Sequence, residues 1–178
     1  MNKKKIAFRY LAFLLIAFFG IFLDRITKLW ALHMLKDKPP IILIDGVLEF
    51  LYTENRGAAF GILQGRFFFF YLIAAIVIVF ILYVIFRLPD GRKYHILLVL
   101  LSLITAGAVG NLIDRTLQHY VIDFIYFVPI NFPVFNVADI FVSVSTFLLA
   151  FIFIFIFKEE DFNFLKRKRA DKGNGTDS

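Results

Sequence analysis

The chain has 178 residues, 60% of them hydrophobic and 19% charged, with 25 Phe and a mean hydropathy of +0.78. An ordinary soluble domain is about 45–50% apolar and about 25% charged, so a soluble monomer, a disordered chain and a collagen-like chain are excluded. The absence of Cys excludes a disulfide framework, a thiolate zinc site and a cysteine nucleophile. His33, His95 and His119 are too scattered to suggest a metal site, so neither metal nor cofactor is expected. The formal charge of +6 follows the pattern of a membrane protein, and no nucleic-acid partner is expected.

In chain order, Lys3-Lys-Lys5 precedes a charge-free run from Tyr10 to Leu23. That run resembles the front of a secretory signal peptide, but no Ala-x-Ala-like cleavage site follows it. A retained helix is expected, reaching spanning length only by continuing through Asp24, Thr27 and Lys28 to about Leu32. Further charge-free runs cover Phe67 to Phe86, Ile96 to Ile113 and Ile140 to Phe157, of 20, 18 and 18 residues. A spanning helix needs about 20 largely apolar residues. The expectation is an α-helical integral membrane protein, one membrane domain over 1–178, with spans at about 8–32, 67–86, 96–117 and 138–157.

Four spans place 13 Lys and Arg on the side holding both termini and the 87–95 loop, against 7 on the other. By the positive-inside rule, both termini face the cytoplasm. Within the cytoplasmic tail 158–178, which looks peripheral to the chemistry, Lys166-Arg-Lys-Arg169 reads as a solvated anchor against anionic lipid. Its last residues, Gly173 to Ser178, read as disordered. The outer segment 33–66 is too short and too charged for another span. Within it, Asp45-Gly46 between apolar stretches reads as a hairpin turn, giving a small extracytoplasmic β cradle.

Polar residues converge at one depth. Asp24 lies near the outer end of the first span, Asn111, Asp114 and Arg115 end the third, and Asn136 and Asp139 open the fourth, with Asp123 between them. Charged groups at membrane depth are costly and mark function. Asp24 and Lys28 are four apart and can pair on a helix. Asn111, Asp114 and Arg115 share one helical face, whereas Asp114 and Asp123 differ by nine residues, about half a turn out of phase. Either the helix breaks between them or their roles differ.

The carboxylates separate by environment. Asp114 sits beside Arg115 and suits a structural ion pair. Asp123 lies in an apolar run that favours its protonated form, while Asp139 opens a helix, where the exposed N–H groups favour negative charge. One protonated and one ionised carboxyl is the division of labour of an aspartic hydrolase, so Asp123 and Asp139 form the candidate pair. The Glu54–Gly61 loop, with Gly57, Ala58, Ala59 and Gly61, permits close backbone approach on the same side. Ser143 and Ser145 read as helix-packing serines. A small proton- or cation-coupled transporter is the alternative reading, and a helix-gluing scaffold is a third.

Five blocks now stand in order: Asp24-Arg-Ile-Thr-Lys28, Glu54-Asn-Arg-Gly-Ala-Ala-Phe-Gly61, Gly110-Asn-Leu-Ile-Asp-Arg115, Val121-Ile-Asp-Phe-Ile125 and Phe135-Asn-Val-Ala-Asp139. Together with the four spans they resemble the bacterial lipoprotein signal peptidases, or signal peptidase II, over essentially the whole chain. The resemblance implies an aspartic endopeptidase of the bacterial cytoplasmic (inner) membrane, which cuts diacylglyceryl-modified prolipoproteins before the lipidated Cys. Its catalytic aspartates match Asp123 and Asp139, and its supporting residues match Asn55, Asn111, Arg115 and Asn136. Asp24 and Asp114 match structural polar positions, with Lys28 beside them in the first block. Membrane lipid, prolipoprotein and a globomycin-type inhibitor are the implied partners, and the chain is expected to be a monomer. Ser145 stands where many relatives carry Gly, a small-for-small exchange.

Overall fold

The computed structural model describes residues 3–57 and 67–165. Expectations for 58–66, including Ala58, Ala59 and Gly61 of the outer loop, and for the tail beyond 165 fall outside the described residues. Helix α1 (Lys3–Leu35) is followed by strands β1 (Ile41–Ile44) and β2 (Leu48–Asn55), then helices α2 (Phe67–Arg87) and α3 (Arg92–Gln118). Strand β3 (Val121–Phe127) leads into α4 (Val137–Phe155), and a 3₁₀ helix covers Glu159–Leu165. All four α-helices are long and apolar enough to cross a membrane.

The bundle turns apolar side chains outward and keeps its intramembrane charged groups buried against other helices. The buried stripe of α1 runs Arg9, Phe13, Ala17, Gly20, Asp24, Lys28, Ala31 and Leu35, at steps of three and four that keep one face turned inward. Phe8, Leu11, Phe18, Phe19 and Phe22 occupy the exposed faces of the same helix. Small residues let the backbones close: a Cβ on Gly107 of α3 would stand 2.4 Å from the Ala138 carbonyl oxygen of α4, and one on Gly20 would stand 2.7 Å from Ala106 Cβ. Toward the end where the chain begins, Ile81, Ile85, Leu97, Leu101, Leu149 and Ile152 build the apolar core.

The hairpin forms where Asp45-Gly46 signalled it. Gly46 sits at φ 66°, and Val47 N–H donates to Ile44 O at 3.0 Å to close the turn. The sheet, however, has three strands in the order β1-β2-β3, all antiparallel, so the cradle is completed by residues from beyond the third span. Helix α3 stops at His119, which takes the left-handed conformation at φ 62°, and two residues later the chain is extended. Ile122 and Phe124 of β3 turn toward α1 and pack with Ala31 and Leu35. Phe124, Phe50 and Trp30 form a mutual edge-to-face triangle with centroids 5.4–6.0 Å apart. Because strand side chains alternate between faces, this anchoring aims Val121 and Asp123 to the opposite side.

The C-terminal 3₁₀ helix is docked on the bundle, while the basic run Lys166-Arg-Lys-Arg169 lies outside the described residues. Arg87 Nε donates to Phe164 O at 2.8 Å, Lys93 pairs with Asp161, and Phe162 packs on Phe153 and Phe157.

Candidate active site

The site is built at the end of the bundle where α1 ends, α3 ends and α4 begins. Its base is an ion cluster. Lys28, fully buried, donates to Asp24 Oδ2 at 2.8 Å and Asn111 Oδ1 at 2.8 Å and contacts Asp114 Oδ2 at 2.9 Å. An ammonium group has three protons, and here each has an acceptor. Arg25 pairs with the other oxygen of Asp114, so two cations balance two carboxylates. Asp24 Oδ1 in turn accepts from Ala138 N–H at 3.0 Å, tying α1 to the start of α4. Asp114 is therefore paired with Lys28 and Arg25 and not with its neighbour Arg115. Successive helical residues do not face each other, which is why adjacency misled.

Above this base, the start of α4 carries a reciprocal cap. Asn136 Oδ1 accepts from Asp139 N–H at 3.0 Å, and Asp139 Oδ2 accepts from Asn136 N–H at 3.2 Å. Asn111 Nδ2 donates to Asp139 Oδ1 at 2.8 Å. Asn136 Nδ2 donates to Asp123 Oδ1 at 2.6 Å and to Asn111 Oδ1 at 3.2 Å. Asn55, at the end of β2, donates to Asp123 Oδ2 at 2.9 Å, and its Oδ1 accepts from Gly57 N–H at 3.0 Å. Burial, followed by the negative charge of Asp139, pushes the Asp123 carboxyl up to about 7.

Asp123, Asp139, Asn55, Asn111 and Arg115 all line one cavity of about 750 Å³. Arg115 Nη2 donates to Gly57 O at 2.9 Å, and its guanidinium lies 4.1 Å from the ring centroid of Phe70 on α2. All nine polar residues singled out in the sequence thus meet at one end of the bundle, either on the cavity or in the base beneath it. Three contributors escaped the sequence reading. Arg25 neutralises Asp114, Phe70 stacks on Arg115, and Ser143 lines the cavity and is exposed, where a packing role was expected. Only Arg25 had a signal, lying in the same block as Asp24 and Lys28 and one turn before the latter. Ser145 is buried, in keeping with helix packing.

A match to known proteins covers this whole arrangement. Residues 16–155 match the family described as signal peptidase (SPase) II. The chain belongs to the signal peptidase II family. It is 43% identical over 139 residues to the lipoprotein signal peptidase of Clostridium tetani (strain Massachusetts / E88), covering 76% of this chain and 88% of that protein. It is 41% identical over 138 residues to the lipoprotein signal peptidase of Clostridioides difficile (strain 630), covering 77% and 90%. Two solved structures titled as bacterial membrane enzymes, determined by the in meso method, superimpose with TM-scores of 0.72 and 0.71 at 30% and 32% identity. The first covers 89% of this chain and 93% of that structure, the second 82% and 94%. As a signal peptidase II, the chain is a multi-pass bacterial membrane protease that processes lipoprotein precursors, with four apolar helices and a small antiparallel sheet.

Proposed function

We propose that the protein cuts diacylglyceryl-modified prolipoproteins just before the lipidated Cys, with Asp123 and Asp139 as its catalytic dyad. The observation that carries this reading is the pairing itself. Two carboxyls in unlike surroundings face one cavity and are held by one residue, Asn136, which contacts both. Asp139, supplied with donors by Asn111 and the Asn136 backbone, takes a proton from water. Asp123, whose carboxyl is pushed up to about 7 by burial and by Asp139, donates its proton to the scissile carbonyl oxygen. The C–N bond breaks as the amide nitrogen receives the proton held by Asp139 and one hydroxyl of the tetrahedral species returns its proton to Asp123, leaving a carboxylic acid, a free amine and the dyad as it began. Asn55 and Arg115 line the same cavity and hold the substrate backbone.

The cavity wall explains how a lipidated substrate reaches this dyad. Ile140 and Val144 of α4 line it while remaining 37% and 51% exposed, and Phe70 of α2 forms part of the same wall. These apolar groups border the bilayer, so a signal helix and its acyl chains enter sideways without leaving lipid. The basic residues on the side of the termini put that side in the cytoplasm and the dyad near the extracytoplasmic face of the inner membrane. The unit acts as a monomer, a single membrane domain over 1–178, and a globomycin-type peptide competes for the same cavity. Against the transporter reading, Asp24 and Asp114 are saturated by Lys28, Arg25 and Ala138 N–H and so are not free to relay an ion.

Cleavage of a diacylglyceryl-Cys prolipoprotein by the purified protein in detergent tests the reading. Asp123→Asn and Asp139→Asn, each confirmed folded by thermal melting, are expected to abolish cleavage. Full activity in either folded variant refutes the dyad.

A further inference from the structure

The opposite end of the bundle carries a second, smaller cleft of about 230 Å³, between the first turns of α1 and α3. Lys4, Lys5, Phe8 and Arg9 come from α1, Asp90 from the α2–α3 connection, and His95 and Leu98 from α3. Arg9 is the unusual member. It is only 7% exposed, its Nη2 donates to Asp90 Oδ1 at 2.6 Å, and its Nη1 is buried with no hydrogen-bond partner among the described residues. A guanidinium is always charged and its N–H groups are strong donors, so an unspent one in a buried setting points to an acceptor that binds there. Lys5 Nζ donates to the other oxygen of Asp90 at 2.7 Å, which leaves it further protons to offer. Lys5 and Arg9 share the single carboxylate of Asp90, so two cations meet one anion in the cleft.

We infer that this cleft binds the phosphodiester of an anionic phospholipid from the cytoplasmic leaflet, with Arg9 and Lys5 on the phosphate oxygens. A phosphate presents several acceptors to a guanidinium fork. The neighbouring walls fit the rest of a lipid: Phe8, 67% exposed, offers an apolar face beside the cleft, and Leu98 of the core closes its inner side. A free phosphate has no use for those walls, and this favours the lipid as source. The leaflet rests on the orientation proposed above, whereas the binding chemistry does not. Asp90 orients the two cations and competes with the ligand for them.

Native mass spectrometry of the full-length, delipidated protein in detergent, titrated with phosphatidylglycerol, phosphatidylcholine or inorganic phosphate, tests the site. The wild type is expected to retain phosphatidylglycerol in preference to phosphatidylcholine. Arg9→Gln, with melting unchanged, should weaken retention of phosphatidylglycerol about tenfold, the equivalent of one charge-assisted hydrogen bond. Asp90→Asn, which releases both cations, should strengthen retention, an outcome that a merely structural role for Arg9 does not give. Equal retention of the two lipids, an Arg9→Gln protein that binds as the wild type does, or displacement of the lipid by millimolar inorganic phosphate would each overturn the inference.

Discussion

If Asp123 must arrive protonated, the rate depends on pH in a defined direction. Its carboxyl is raised to about 7 by burial and by Asp139, so the competent proton is present below that value and lost above it. With that midpoint, the protonated fraction falls from about 0.9 at pH 6 to about 0.09 at pH 8, about a tenfold loss of kcat/KM. The perturbation that tests the cause is Asn55→Leu. Asn55 donates to Asp123 Oδ2 at 2.9 Å, a contact that favours the ionised form, and Leu removes the donor while keeping water out. A hydrogen bond to a charged group contributes about 1.5 kcal/mol, or roughly one pKa unit. The alkaline limb is therefore expected to move up by about one pH unit.

The assay is kcat/KM between pH 5 and 9 for a diacylglyceryl substrate with no titrating group near the scissile bond. The height of the profile falls as well in Asn55→Leu, because Asn55 Oδ1 accepts from Gly57 N–H and shapes the turn beside Arg115. The position of the limb separates the two effects. A wild-type profile flat from pH 6 to 8.5, or a limb that stays put or moves to lower pH in Asn55→Leu, would refute the assignment of Asp123 as the proton donor.

Three further perturbations follow from the packing. Lys28→Met strips Asp24 of its cation and leaves Asp114 with Arg25 alone, and losing one partner of such a buried cluster costs about 3–5 kcal/mol; a melt in detergent should show a marked drop in Tm, and no drop would contradict the cluster's role. Gly107→Ala drives a Cβ to 2.4 Å from the Ala138 backbone oxygen, so α3 and α4 must part. About 1–3 kcal/mol of destabilisation and reduced cleavage are expected, since Asn111 and Asp139 sit on the two separated helices. Asp161→Ala removes the acceptor of Lys93 and of Lys158 N–H, and limited trypsinolysis should then cut near Lys158 faster than in the wild type.

The spans were legible because lipid enforces a coarse rule: runs without charge must be long enough to cross, and α2, α3 and α4 begin or end close to where their runs do. The gathering of polar residues at one end was legible for the same reason, since a charge at that depth is expensive wherever it has no partner. Which partner each residue takes was not legible. Asp114 and Arg115 are neighbours in sequence but diverge on the helix, one to Lys28 and Arg25, the other to Gly57 O and the face of Phe70. The third strand was equally hidden. Val121–Phe127 is apolar enough to pass for the end of a span, and its pairing with β2 joins residues far apart in the chain, 70 positions in the case of Thr53 with Asp123. The nine-residue offset between Asp114 and Asp123 signalled only that the helix breaks or the roles differ, and the left-handed His119 shows that it breaks.

The ion cluster under the dyad has a consequence beyond stability, because it decides which way an amide points. Asn111 Oδ1 accepts from Lys28 Nζ and from Asn136 Nδ2. With its oxygen committed downward and sideways, Asn111 has only its Nδ2 to turn toward Asp139, and that contact is 2.8 Å. Asn136 is fixed in the same way: its oxygen is held by Asp139 N–H as a helix cap, so its amide protons face Asp123 and Asn111. Asp139 and Asp123 each accept from two donors, so the difference lies in burial: Asp139 is half-buried, whereas Asp123 is buried in an apolar strand, which with the negative charge of Asp139 pushes its carboxyl up. In the proposed dyad, the asymmetry between two identical side chains is thus set by their surroundings. Lys28 orients Asn111, Asn111 and the α4 cap position Asp139, and burial in β3 raises the carboxyl of Asp123.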